Sequence, residues 1–154
     1  MRPEAVLNSL DRAFPFERFD SFFTIVYLTV DYVNGRLSYC SAGHPAPILR
    51  HTDGTLEVLD VHGPVIGAGD GWPFQQEEMQ LQPGDKIVLY TDGVVDHSNL
   101  AGEFFGKERF YRALQKHGDQ PVQSFISSLQ TKIKDFAESE KSGDDISMMV
   151  IEYV

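Results

Sequence analysis

The sequence predicts an α+β fold in which helices layer on antiparallel strands, and two patterns carry that prediction. Short runs with apolar residues on both faces, at 22–30, 87–90 and 146–154, have the character of buried strands. A stripe at helical spacing, Val122, Phe125, Ile126, Leu129, Ile133 and Phe136, has the character of a helix packed on a sheet.

The elements follow in order. Val6, Leu7, Leu10 and Phe14 recur at helical spacing behind Pro3, a residue tolerated in a first turn, so the chain opens on a short amphipathic helix. Pro15 ends it, because proline disfavours the helical conformation in the residue before it. A strand is expected over 21–31, and its two apolar faces place it in the middle of a layered structure. Asn34-Gly35 suits the two positive φ angles of a tight hairpin, with 36–41 as the returning strand. A second hairpin pairs 48–51 with 56–59 across Thr52-Asp53-Gly54. Gly63, Pro64, Gly67, Gly69 and Gly71 mark an irregular loop, and a weak strand is expected over 74–81. Pro83-Gly84 then turns the chain into Ile87-Val88-Leu89-Tyr90. Helices at 107–116 and 121–137 precede the last strand at 146–154.

Composition limits the function classes. The 154 residues, 42% of them hydrophobic, suffice for one domain with its own core. Charge opposes nucleic-acid binding: 13 basic against 23 acidic side chains leave a net −10, which repels a phosphate backbone. Cys40 is the single cysteine, which excludes an internal disulfide and agrees with a reducing cytosolic compartment. Its plain reading is a small apolar core residue. No apolar run is long enough to span a bilayer, and 1–4 lack a signal pattern, so neither membrane nor export is expected.

Two acidic sites stand apart because each adjoins an apolar strand, where a buried charge is costly unless compensated. One is Asp92, in Tyr90-Thr91-Asp92-Gly93-Val94; the other is the pair Asp144-Asp145, just before Ile146. Adjacent aspartates repel, and a cation beside them relieves that repulsion. Oxygen-only ligation selects hard ions such as Mg²⁺ or Mn²⁺, which suits phosphate chemistry through an activated water. Spacing alone favours a plainer reading: a turn at Asp92-Gly93 and a solvated acidic loop at 143–145.

The surrounding residues add a resemblance. They run Ser41-Ala42-Gly43-His44-Pro45-Ala46-Pro47, Gly63-Pro64-Val65-Ile66-Gly67, and Leu81-Gln82-Pro83-Gly84-Asp85 through Tyr90-Thr91-Asp92-Gly93-Val94. Phe105-Gly106-Lys107-Glu108-Arg109 and Gly143-Asp144-Asp145-Ile146-Ser147 follow. In this order they resemble the successive motifs of PPM-type (protein phosphatase 2C-like) serine/threonine phosphatases of the bacterial SpoIIE-like subfamily, over 22–154. The resemblance implies a layered α/β/β/α sandwich of antiparallel sheets flanked by helices. It implies a binuclear Mn²⁺ or Mg²⁺ centre, with Asp92 and Asp144 as metal-binding, catalytic carboxylates and Asp145 as an auxiliary metal group. It also implies a structural turn around His44, rather than a catalytic histidine, and leaves the role of Asp96 open.

The family pattern further demands an earlier strand pair with a Gly-Asp-x-x-Gly-His-Gly type motif, which 1–154 lack. Residues 1–154 therefore resemble a partial phosphatase domain without its N-terminal metal-binding strands. The expected function of the complete domain is hydrolysis of phosphoserine or phosphothreonine on a regulatory protein, such as an anti-sigma-factor antagonist. Such domains are commonly attached to a receiver or sensor domain. The piece alone is expected to be nearly inactive, because each hard cation wants on the order of six oxygen ligands. Missing strands also predict an unpaired apolar sheet edge, hence dimerisation or strand exchange. The alternative is a non-catalytic, phosphatase-fold binding module; a plain structural domain requires five ordered motifs to be coincidence.

Overall fold

A computed structural model describes residues 2–68, 71–137 and 145–154. The chain divides into two compact units, one of Met1–Ala46 with Leu59–Leu81 and one of Pro47–Val58 with Gln82–Val154. Each holds one antiparallel sheet and its own helices. The architecture is α+β, as the sequence predicts.

In the first unit, α1 (Pro3–Ala13) begins at a proline whose missing N–H would have had no partner in a first turn. It closes on Phe14, whose amide donates to the Leu10 carbonyl at 2.9 Å, and Pro15 prevents continuation. A one-turn helix, α2 (Phe16–Phe19), follows; it is too short to carry a readable periodicity. β1 (Ile25–Asp31) pairs with β2 (Arg36–Ala42) from Ile25 opposite Ala42 to Asp31 opposite Arg36. β5 (Glu77–Gln80) pairs on the other side of β2. Leu7 of α1 is buried with Cys40, Ala42, Ile66 and Phe74 in the core of this unit. Cys40 is thus a core residue, and burial pushes its thiol pKa up to about 11.

β1 lies at one end of its sheet among the described residues, a lateral position separate from its expected place between layers. Apolar residues on both faces report what lies above and below a strand; they say nothing about its lateral neighbours, which are set by backbone hydrogen bonds. The Asn34-Gly35 turn is not a two-residue hairpin but a four-residue loop, 32–35, because Asp31 pairs with Arg36. The Asp31 carboxylate accepts from the backbone amides of Val33 and Asn34 and from the Asn34 side chain, an arrangement that organises the longer loop.

In the second unit, β3 (Ile48–Arg50) and β4 (Leu56–Val58) form the second hairpin. β3 also pairs with β6 (Lys86–Tyr90), and β6 with β7 (Met148–Glu152), giving the order β4-β3-β6-β7. The Pro83-Gly84 turn before β6 places Gly84 at φ 91°, a region that favours glycine, and its amide donates to the Tyr153 carbonyl at 2.6 Å. Helices α3 (Gly106–His117) and α4 (Val122–Ala137) pack on each other, and α4 packs on β7. Val88 and Tyr90 of β6 are buried with Phe110 and Leu114 of α3 and Phe125, Leu129 and Ile133 of α4. The stripe on α4 is therefore core.

Candidate metal centre

The unbroken apolar run of β6 is paired on both sides, so its end is a fixed point. Thr91 follows, and the chain there bends into a 3-10 turn at Asp92–Val94. Asp92 accepts through its own backbone carbonyl from the amides of Val95 and Asp96, each at 2.9 Å. Its Oδ1 accepts from the Gly93 amide at 3.0 Å. Behind the turn, the Phe105 amide donates to the His97 carbonyl at 2.7 Å and the Gly106 amide to the Val95 carbonyl at 2.8 Å. The 105–106 motif thus braces the loop that carries Asp92.

Thr91 joins this loop to the segment preceding β7. Its amide donates to the Ser147 carbonyl, its Oγ1 donates to the Asp145 carbonyl, and the Ser147 amide donates to its Oγ1, all at 3.0 Å. The residue before Asp92 is therefore hydrogen-bonded to Asp145. Asp144 lies outside the described residues, as does Gly69 of the irregular loop.

The burial expected of these carboxylates is corrected by the structure. Asp92 and Asp145 are exposed, as is Asp96 one turn on from Asp92. The tight 3-10 turn carries Asp92 out of the core, where Val94 and Val95 remain buried, so no desolvation cost demands a compensating ion. The donor chemistry nonetheless fits a hard divalent cation: Asp92 Oδ2 has no hydrogen-bond partner among the described residues, and Asp145 contributes a second carboxylate on the adjoining segment. Among the described residues, no group of three or more His, Cys, Asp or Glu side chains gathers into a metal-binding cluster.

His44 belongs to the first unit. Its carbonyl accepts from Ser41 Oγ at 3.3 Å, and its Nδ1 lies 3.2 Å from Thr24 Oγ1. Beside it, Gly43 stands at φ 64° and donates its amide to the Gly63 carbonyl at 3.0 Å. A Cβ on Gly63 would come within 2.6 Å of the Ser41 carbonyl and of the Phe74 ring. The first two motifs therefore lock to each other through backbone.

Two side chains near the Asp92 loop had no assigned role in the sequence. Thr91 was legible only as part of a motif; a β-branched hydroxyl between an apolar strand and an acid is the signal that marks it. His97 is buried, with Nδ1 lacking a hydrogen-bond partner among the described residues, and its polar successors Ser98-Asn99 gave no hint of burial.

The family model for stage II sporulation protein E (SpoIIE) matches residues 1–154. The chain belongs to the SpoIIE family. It is 30% identical to Protein IcfG of Synechocystis sp. over 138 residues, 84% of this chain and 20% of that protein. It is 25% identical to the phosphoserine phosphatase RsbP of Bacillus subtilis, over 99% of this chain and 37% of that protein. The chain thus spans well under half the length of these relatives. Among solved structures, the SiaA-PP2C domain of Pseudomonas aeruginosa superposes with a TM-score of 0.86 at 24% identity, covering 99% of this chain and 61% of that one. The Mn-presoaked phosphatase domain of SpoIIE from Bacillus subtilis gives 0.71 at 13% identity, covering 96% and 63%. The fold is that of SpoIIE and PP2C domains, a family generally dependent on metal ions.

Proposed function

We propose that residues 1–154 form part of a metal-dependent protein serine/threonine phosphatase domain that acts on a phosphorylated regulatory protein in bacterial signalling. The single observation that carries this reading is Thr91: its hydroxyl fixes the Asp92 loop beside the segment of Asp145 in a chain of the SpoIIE family. Asp92 and Asp144 are the proposed holders of Mn²⁺ or Mg²⁺, with Asp145 as an auxiliary group. When bound, such an ion lowers the pKa of water and offsets charge on the phosphoryl oxygens.

In the reaction, a water oxygen attacks phosphorus in line, the bond from phosphorus to the serine or threonine oxygen breaks, and that oxygen takes up a proton. This chain's residues contribute position. Asp92 is held by its turn and by the 105–106 brace, so its carboxylate needs little reorganisation. Further ligands come, in this reading, from N-terminal strands of a longer domain, and the proposed substrate is an anti-sigma-factor antagonist or similar regulator. A sensor or receiver domain upstream and a cytoplasmic setting complete the proposal. Among the described residues, no helix is long and apolar enough to cross a membrane.

The test is calorimetric titration with Mn²⁺ of this chain, Asp92→Ala and Asp144→Ala, beside phosphoserine-peptide hydrolysis by the longer protein. Loss of binding in both variants is expected; equal binding by all three sinks the metal assignment. Robust turnover by residues 1–154 alone overturns the partial-domain part. A second reading, a phosphatase-fold binding module, rests on the described residues gathering no group of three or more metal-ligating side chains, fewer than a binuclear centre needs. It wins if the longer protein binds its regulator and hydrolyses nothing.

A further inference from the structure

A short hairpin leaves the Asp92 turn and returns to it. The Val95 amide donates to the Asp92 carbonyl at 2.9 Å, and the Val95 carbonyl accepts from Gly106 at 2.8 Å. Between them the chain runs out from His97 and back to Phe105, whose amide donates to the His97 carbonyl at 2.7 Å. Ser98 pairs with Phe104 as an antiparallel bridge, and the Asn99 amide donates to the Glu103 carbonyl at 2.9 Å. The tip, 100–102, closes on Gly102, whose amide donates to the Asn99 carbonyl at 3.0 Å and whose φ of 79° suits glycine. Asn99 Oδ1 accepts from the amides of Ala101 and Glu103, and Arg109 donates to the Phe104 carbonyl. Both ends of the hairpin and its tip are thus fixed by hydrogen bonds.

This braced loop carries two large apolar side chains into solvent: Leu100 is 72% exposed and Phe104 61%. Scattered exposed apolar residues are ordinary on a protein surface. What sets these two apart is that they share one hairpin rooted at the Asp92 turn. The single charged side chain of 98–104, Glu103, is occupied: its carboxylate accepts from Asn99 Nδ2 at 3.2 Å and lies 3.9 Å from Arg109. The phosphorus of a phosphoserine stands about 4 Å from its own Cα, three bonds away, so a substrate's backbone and neighbouring residues must come down onto whatever surrounds the attacking site. Leu100 is three residues along the chain from His97, a reach of about 10 Å, and Phe104 directly precedes Phe105. Both fall within the roughly 800 Å² that each partner of a standard protein interface covers.

We propose that Leu100 and Phe104 determine which phosphoprotein this site accepts, by contacting apolar side chains that flank the phosphorylated serine or threonine. The inference rests on the phosphatase reading and deepens it: the substrate class becomes a phosphorylated segment with apolar flanks, rather than phosphoesters at large. Because the hairpin is already held in place, little conformational entropy is lost on contact. A lipid surface fits less well, since the net charge of −10 repels anionic headgroups.

The test uses the longer protein with Mn²⁺ and two phosphoserine peptides of about 12 residues, identical except that leucine or glycine flanks the phosphoserine. Expected is a kcat/KM for the leucine peptide about tenfold or more above that for the glycine peptide, expressed mainly in KM. Leu100→Ser and Phe104→Ser should each lower that ratio about threefold or more and the double variant should bring it close to one, while Leu100→Met and Phe104→Leu keep most of it. If a serine variant unfolds by circular dichroism, Leu100→Ala and Phe104→Ala carry the same expectation. A ratio near one in the parent protein, or an unchanged ratio in the double variant, overturns the inference. Weaker binding of the variants to phosphatidylglycerol vesicles, with the peptide ratio unchanged, overturns it in favour of a membrane contact. Hydrolysis of neither peptide sinks the phosphatase reading and this inference with it; hydrolysis of both without discrimination sinks this inference alone.

Discussion

Thr91 donates its hydroxyl proton to the backbone carbonyl of Asp145 at 3.0 Å. The same oxygen accepts from Ser147, so one side chain spans the end of β6 and the approach to β7. Thr91→Val keeps the shape and removes both bonds. Loss of about 1–2 kcal/mol is expected in urea denaturation, with Thr91→Ser retaining most of the stability. Equal stability of the Thr91→Val variant and the parent protein would show that the clamp is incidental.

Asp92→Asn preserves the acceptor that receives the Gly93 amide and deletes the charge. The side chain is exposed, so stability should change by no more than about 0.5 kcal/mol. Mn²⁺ affinity of the longer protein should fall by more than the roughly 10–100-fold typical of an outer-sphere partner, as measured by calorimetry.

Gly118 is needed for space rather than for conformation. It sits at φ −66°, and a Cβ there would collide with the side chain of Arg50, which is buried and paired with the exposed Asp119. Gly118→Ala should therefore cost about 1–3 kcal/mol in thermal or chemical denaturation. Combining it with Arg50→Ala should give less than the sum of the two single losses, because the collision is gone.

Burial, with Tyr111 adding to it, pushes the Tyr90 phenol up to about 12 from its ordinary 10. Below pH 10 both the folded and the unfolded chain hold the proton. Between pH 10 and about 12 only the folded chain holds it, so stability falls as pH rises through this window, by on the order of 2 kcal/mol. Denaturation midpoints measured across that range should decline less in Tyr90→Phe. A parallel decline in both proteins would remove Tyr90 as the cause.

Strands and helices were largely legible because their signals are local. The α4 stripe from Val122 to Phe136 and the run Ile87-Val88-Leu89-Tyr90 each report their own burial within a few residues. The pairing of β6 with β3 and β7 was not legible, because no local pattern names a strand's lateral partner. Asp92 stood out as an acid after an apolar strand, but its exposure depends on a 3-10 turn too short to leave a periodic signature.

Because β7 completes the pairing of β6, biosynthesis imposes an order on this junction. A nascent chain delivers Thr91 and the aspartate turn more than fifty residues before Ser147, whose amide and carbonyl both engage Thr91. Until that stretch leaves the ribosome, the bonds that tie the Thr91 turn to the approach to β7 cannot form, so this junction is among the last parts of the unit to close.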